Sequence, residues 1–341
     1  MSNKSNTIQI LRGFAILMVV MQHVLGRLVT NGGGVMKLIF FFNHIDVVIF
    51  FIIAGYLYEN KISKYLNQST FTFIKKKFKS IFVPYLFWAL LFSVTVNVIS
   101  IIPSVSTLLT NLGYEKWNIV QIIINTLTFS EYYIQHLWFV YILFIYFIIH
   151  RLSKNVFIKP YFFVFVLLLT ICLKFNFEFP FILDKFLQHF LNFSLGRIIC
   201  KYKHKIELKN KYVVFMISSL VLLICVLNEY YVSNSFTYTY LGNLIYGWAG
   251  CAVFFYISSY LDKHVSNASN MLKTIGDYSF EIYLMHNPYI VLMVPLALKI
   301  LNVNSTLIFL ISVILGILIP IFASKLISKN TLFRTIAFGK E

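Results

Sequence analysis

Long apolar stretches, most of them close to the length of a bilayer-crossing helix, alternate along this chain with short polar connections. Crossing ~30 Å of hydrocarbon takes about 20 apolar residues. Ten stretches meet or approach that length: 8–30, 36–58, 80–102, 135–150, 160–174, 182–200, 212–228, 241–261, 275–297 and 305–326. The pattern predicts an all-α polytopic membrane bundle of about ten transmembrane helices. The first stretch is too long for the apolar core of a cleavable secretory signal, and no small-residue cleavage site precedes the next span. Residues 103–134 break the rhythm. Trp117–Phe129 is apolar but short, and counting it as a span would invert every later connection, so an interfacial or re-entrant helix is expected there.

Composition agrees with lipid as the main solvent. Hydrophobic residues make up 59% of the 341, and charged residues only 12%. A soluble domain is about half apolar and about a quarter charged, so these charges are too few to cover a water-facing surface. The net charge of +17 raises the question of nucleic acid, and the position of the cations answers it. With the connections alternating from an inside N-terminus, 23 of the 29 Lys and Arg fall on the inner side, including Arg12 and Arg197 just within the inner ends of spans. Only Arg27, Lys37, Lys116, Lys174, Lys185 and Lys299 fall outside. Such a bias places both termini in the cytoplasm and explains the charge without a nucleic-acid partner. Cys172, Cys200, Cys225 and Cys251 each stand alone in apolar runs, which suggests neither a disulfide framework nor a metal site. With no internal repeat and no soluble appended domain visible, the expectation is a single transmembrane domain over 1–341.

Polar groups inside the spans are the informative residues, because each costs about 2.5–3.5 kcal/mol at a helix centre and needs a cavity or a partner. The first span reads LRGFAILMVVMQHV. Arg12 and His23 are eleven residues apart, about three helical turns, which puts both on one face with about 16 Å between them. Asp46 sits near the middle of the second span, where an ionised carboxylate holding a histidine or a cation is the favoured reading. His136 and Trp138 open the fourth span. In SFEIYLMHNPY, Ser279, Tyr283 and His286 share a face, with Asp277 and Glu281 as a second, more cytoplasmic stripe. Lys75, Lys76, Lys77 and Lys79 lead into the third span and offer a cytoplasmic phosphate-binding patch.

Taken in order, these pieces resemble the acyltransferase-3 family of integral-membrane acyltransferases. The matching features are Arg12-x10-His23, the segment from Asp46 to Gly55-Tyr56, the basic cluster Lys75–Lys79 running into Pro84-Tyr85, and Ser279-x3-Tyr283 with His286. HLWF at 136–139 looks like the branch containing sugar O-acetyltransferases. The cluster carries lysines where the family often has arginines, and no hydrolase-like extracellular domain follows the last span.

The resemblance implies an O-acyltransferase, acetyl by default, in the bacterial cytoplasmic membrane. It would have no tightly bound cofactor, acyl-CoA as co-substrate, and an exported or lipid-linked glycan as acceptor. Membrane lipids would surround it, and glycan-synthesis proteins are the partners to which an acyl group would be handed on. Arg12 and the lysines would bind CoA phosphates. His23 would be the general base, its tautomer held by Asp46 or another buried partner. Tyr283, His286 or His136 would meet the oxyanion, and His136, Trp138 and Ser279 would contact the substrate. The alternative reading is a transporter or flippase for a glycan, lipid-linked sugar or small molecule.

Overall fold

The structure is a computed structural model that describes residues 5–28, 34–103, 106–107, 110, 117–129, 132–203, 211–232 and 239–340. Lys4, Lys116, Lys205 and Lys209, which entered the charge pattern, lie outside the described residues, as do the side chains of Lys37 and Lys211. The described chain is helical throughout, with no strand among the described residues.

The first half is built from α1 (Asn6–Leu28), α2 (Gly34–Asn60), the short α3 (Ile62–Leu66), α4 (Thr70–Lys77), α5 (Val83–Ile99), α6 (Ile119–Thr128) and α7 (Trp138–Leu152). The second half comprises α8 (Pro160–Asn176), α9 (Phe181–Tyr202), α10 (Lys211–Tyr231), α11 (Tyr240–His264), α12 (Ser266–Asp277), α13 (Ser279–Met285), α14 (Val291–Ile300), α15 (Ser305–Ile327) and α16 (Thr331–Phe338). Polar caps set several starts. The side chains of Ser69, Thr239 and Asn304 accept from backbone N–H groups of α4, α11 and α15, and Asn118 with Gln121 forms a reciprocal capping box on α6. A wide π turn at Phe78–Phe82 joins α4 to α5, making one continuous stretch, Thr70–Ile99.

Among the described residues, eight helical stretches are long and apolar enough to cross a membrane, against ten expected. The two differences have simple causes. α8 has 17 residues, about 26 Å of helix, short of the hydrocarbon thickness. α9 is long enough but carries Asp184, Lys185, His189, Asn192 and Arg197. α6 has 10 residues, about 15 Å, so Trp117–Phe129 holds a short helix and not a span, as its sequence suggested.

The bundle is apolar outside, and its core is apolar with ionisable groups set into it. α10 exposes Tyr212, Met216, Ile217, Leu220 and Leu223, whereas Asp46, His150, Arg197, Glu281 and His286 are buried. This is the arrangement lipid demands. Long-range polar contacts sort by end as the charge alternation requires. Thr7 with Asp262, Arg151 with Gln68, Arg197 with Glu59 and Lys340 with Glu281 join inner segments. Lys299 with Arg27 and Lys174 with Asp184 join outer ones. The N-terminal residues and α16 therefore lie at the same end.

α2 and α9 cross with their backbones in contact. A Cβ on Gly55 would strike the Phe193 carbonyl, and one on Gly196 would strike that of Ile52, so the Gly55-Tyr56 pair noted in the sequence marks a helix crossing that admits no side chain. A turn further on, the guanidinium of Arg197, fully buried, bonds Glu59 through Nε (2.9 Å) and Nη2 (2.8 Å). Its Nη1 donates to the Lys154 carbonyl (3.0 Å) and to Nδ1 of His150 (3.0 Å), and it stacks 4.8 Å over Tyr58. Every face of this buried charge is occupied, which ties together the inner ends of α2, α7 and α9.

Candidate active site

The α1 register places Arg12 and His23 as the sequence suggested. Both turn toward the segment 277–286: Asp277 and Glu281 are the acidic groups whose charge acts on Arg12, and His23 meets His286. Arg12 makes no ion pair within 4.0 Å among the described residues. Glu281 is buried and is paired with Lys340, just past α16. Trp88 Nε1 donates to the Ala337 carbonyl (2.9 Å), and Gly339 turns at φ 62° against Ser80, which holds this C-terminal strap across the inner end.

His23 and His286 lie nearly coplanar, with 22° between the rings and 2.9 Å from His23 Nδ1 to His286 Nε2. Their tautomers follow from the partners. His286 Nδ1 is 2.9 Å from the carbonyl oxygens of both Ile282 and Tyr283. A carbonyl only accepts, so Nδ1 carries the proton and Nε2 is the acceptor. His23 Nδ1–H then donates to it, and the free lone pair of His23 is on Nε2. The local fold makes this arrangement available. In a continuous helix the Tyr283 carbonyl would face the Asn287 N–H, but the backbone leaves the helical region at Asn287 (φ −121°, ψ 143°). The break lies within His286–Ile290, where two helices meet at a kink.

A cavity of about 270 Å³ opens beside this pair. His23, His136, Trp138 and Tyr283 line it, so four of the residues singled out in the sequence converge on one space. Four carboxamides, Gln22, Asn43, Gln135 and Asn287, and two cations, Arg27 and Lys185, complete its polar wall. Sequence reasoning had counted Arg27 and Lys185 only as topology charges. Their one available signal was the position of Arg27 four residues, about one turn, beyond His23.

Other expectations need correction. Asp46 is fully buried, but the partner of His23 is His286. One Asp46 oxygen accepts from the Val47 N–H, the other has no hydrogen-bond partner among the described residues, and Lys185 is the cation acting on it. The second half of the earlier alternative, another buried partner, therefore holds the His23 tautomer. The Tyr283 hydroxyl donates to the His136 carbonyl, so its proton is committed and cannot also serve an oxyanion. His286 is likewise committed at both nitrogens, and His136 lines the cavity. Ser279 is buried and does not line the cavity. Of the four lysines, Lys77 lies 3.8 Å over the Phe147 ring and Lys76 donates to Gln68 Oε1 (3.1 Å), while Lys75, Lys76 and Lys79 are exposed. The cavity wall does not extend to Arg12.

Fold and cavity together define an integral membrane protein with proton-transfer groups sunk in its interior. The family model of the acyltransferase-3 acyltransferase domain matches residues 6–325, nearly the whole chain, and the chain belongs to that family. It is a membrane acyltransferase. No curated protein and no solved structure gives a significant match to it.

Proposed function

We propose that this acyltransferase moves an acyl group, acetyl in the simplest case, from cytoplasmic acyl-CoA to a hydroxyl of an exported or lipid-linked glycan. The observation that carries the reading is the His23–His286 pair, which leaves the basic Nε2 of His23 free on a cavity wall. His23 takes the proton of the acceptor hydroxyl as its oxygen attacks the thioester carbonyl. The C–S bond breaks as the new C–O bond is completed, and the proton returns from His23 to the departing thiolate, giving free CoA. His136, on the same wall, meets the oxyanion. Arg12, Lys75 and Lys79 receive the CoA phosphates at the inner end, and the pantetheine arm spans the ~16 Å to His23. Trp138 bears on the acceptor.

Surface glycans compared by mass spectrometry with and without the protein test this directly. Loss of one acyl mass from a glycan that is still exported supports the enzyme. Loss of export with acylation intact favours the transporter. Arg12→Ala is expected to raise the KM for acyl-CoA about tenfold or more, the value of one charge-assisted hydrogen bond. Donor titration of the purified variant checks it, and an unchanged KM removes Arg12 from donor binding.

A further inference from the structure

Neither of the two cations on the cavity wall gives or takes a proton in the transfer step. Neither Arg27 nor Lys185 forms an ion pair within 4.0 Å among the described residues, and no described carboxylate lines the cavity. The nearest candidates are taken or set back. Asp184, bonded to Lys174 at 2.7 Å, and Asp46 both act on Lys185 through their charge, but neither lines the cavity. Lys185 is held in place by its surroundings, 5.6 Å from the centre of the Trp138 ring and 5.9 Å from that of Phe181, with its ammonium donating to Gln188 Oε1 at 3.3 Å. A cation kept over two aromatic rings in a part-buried wall is arranged for an anion beside a flat apolar surface. Arg27 also acts on His23, so its charge opposes the imidazolium that proton transfer creates. An anion bound beside it would offset that repulsion at the moment His23 takes its proton.

We propose that the acceptor is an acidic glycan, its carboxylate or phosphate held between Arg27 and Lys185 and its sugar ring lying against Trp138 and Phe181. The inference rests on the acyl-transfer reading for its name of acceptor, and it names the acceptor's chemical class. The carboxamides Asn43 and Gln135 are placed to bond sugar hydroxyls along the same wall.

The test is calorimetric binding to the purified protein in phosphatidylcholine nanodiscs, whose neutral headgroups do not compete as anions. The probes are an oligogalacturonate, a glycerol-phosphate oligomer and a size-matched neutral galactan fragment. At least one acidic probe is expected to bind about tenfold or more tightly than the neutral one, and the stronger of the two identifies carboxylate or phosphate. Arg27→Gln and Lys185→Gln should each weaken that binding about tenfold, while Arg27→Lys, which keeps the charge, should retain most of it. Equal binding of neutral and acidic probes overturns the inference, as does an acidic affinity that both glutamine variants leave unchanged. Acylation of the same probes with acetyl-CoA separates the two readings. Preferential acidic binding with no acyl transfer to any probe counts against the acyltransferase step alone. Neutral probes acylated as efficiently as acidic ones count against the acidic acceptor alone.

Discussion

His23→Ala is expected to lower acyl transfer by about 10²–10⁴-fold, the range that a positioned general base contributes, with membrane abundance near that of the wild type. The argument rests on proton inventory. Both nitrogens of His286 are engaged, one by the Ile282 and Tyr283 carbonyls and one by His23, and the Tyr283 proton is given to the His136 carbonyl. The lone pair on His23 Nε2 is the basic site these bonds leave on the cavity. His286 acts through His23, and two substitutions separate orientation from proton transfer. Glutamine at 286 can accept the His23 Nδ1–H through its amide oxygen and so preserve the tautomer, whereas alanine cannot. His286→Gln should retain activity within about tenfold, and His286→Ala should fall by about a hundredfold. Single-turnover rates on protein of matched abundance measure both. Wild-type turnover in His23→Ala would end the assignment.

Glu59→Gln is expected to destabilise the protein by about 3–5 kcal/mol, because it strips the counter-charge from a guanidinium with no access to solvent. Arg197 remains bonded to the Lys154 carbonyl and to His150, but those neutral partners do not compensate a full charge. His150 Nδ1 accepts from Arg197, so its proton is on Nε2, directed at the Ser194 hydroxyl at 3.5 Å, and the ring cannot take up the lost negative charge. Replacing both members of the pair, as in Glu59→Leu with Arg197→Met, should be milder than either single change, since it leaves no buried charge. Thermal unfolding in detergent, followed by size-exclusion profile, reads the order of the variants. A single variant with a wild-type midpoint would show that the network contributes little.

Much of the helical frame is legible in the sequence because lipid enforces a simple rule: long apolar runs separated by cation-rich turns on one side. The common face of Arg12 and His23 follows from the 3.6-residue period alone, and the structure bears it out. Information that depends on which helices are neighbours is not carried locally. The carboxylate of Asp46 can be recognised as buried from its own span, but which group faces it depends on how the neighbouring helices pack against α2, which the sequence of that span does not carry. Glu281 shows as a polar stripe, yet its partner Lys340 is 59 residues away in a segment that reads as a topology anchor. Lys185 reads as a topology charge because it falls at the outer end of the expected span 182–200. The break at Asn287, which presents the Tyr283 carbonyl to an imidazole, has only the Asn-Pro pair as its sequence mark.

The glycine crossing of α2 and α9 has a mechanical consequence. Two helices fused by backbone contact at one level and by a buried guanidinium a turn away have little freedom to slide or tilt relative to each other. They carry Asn43, Val47, Phe181 and Lys185 of the cavity wall. That side is a fixed anvil, so the freedom that substrate exchange needs is expected in the other lining segments, α1, 135–138 and the interrupted helix at 286–290.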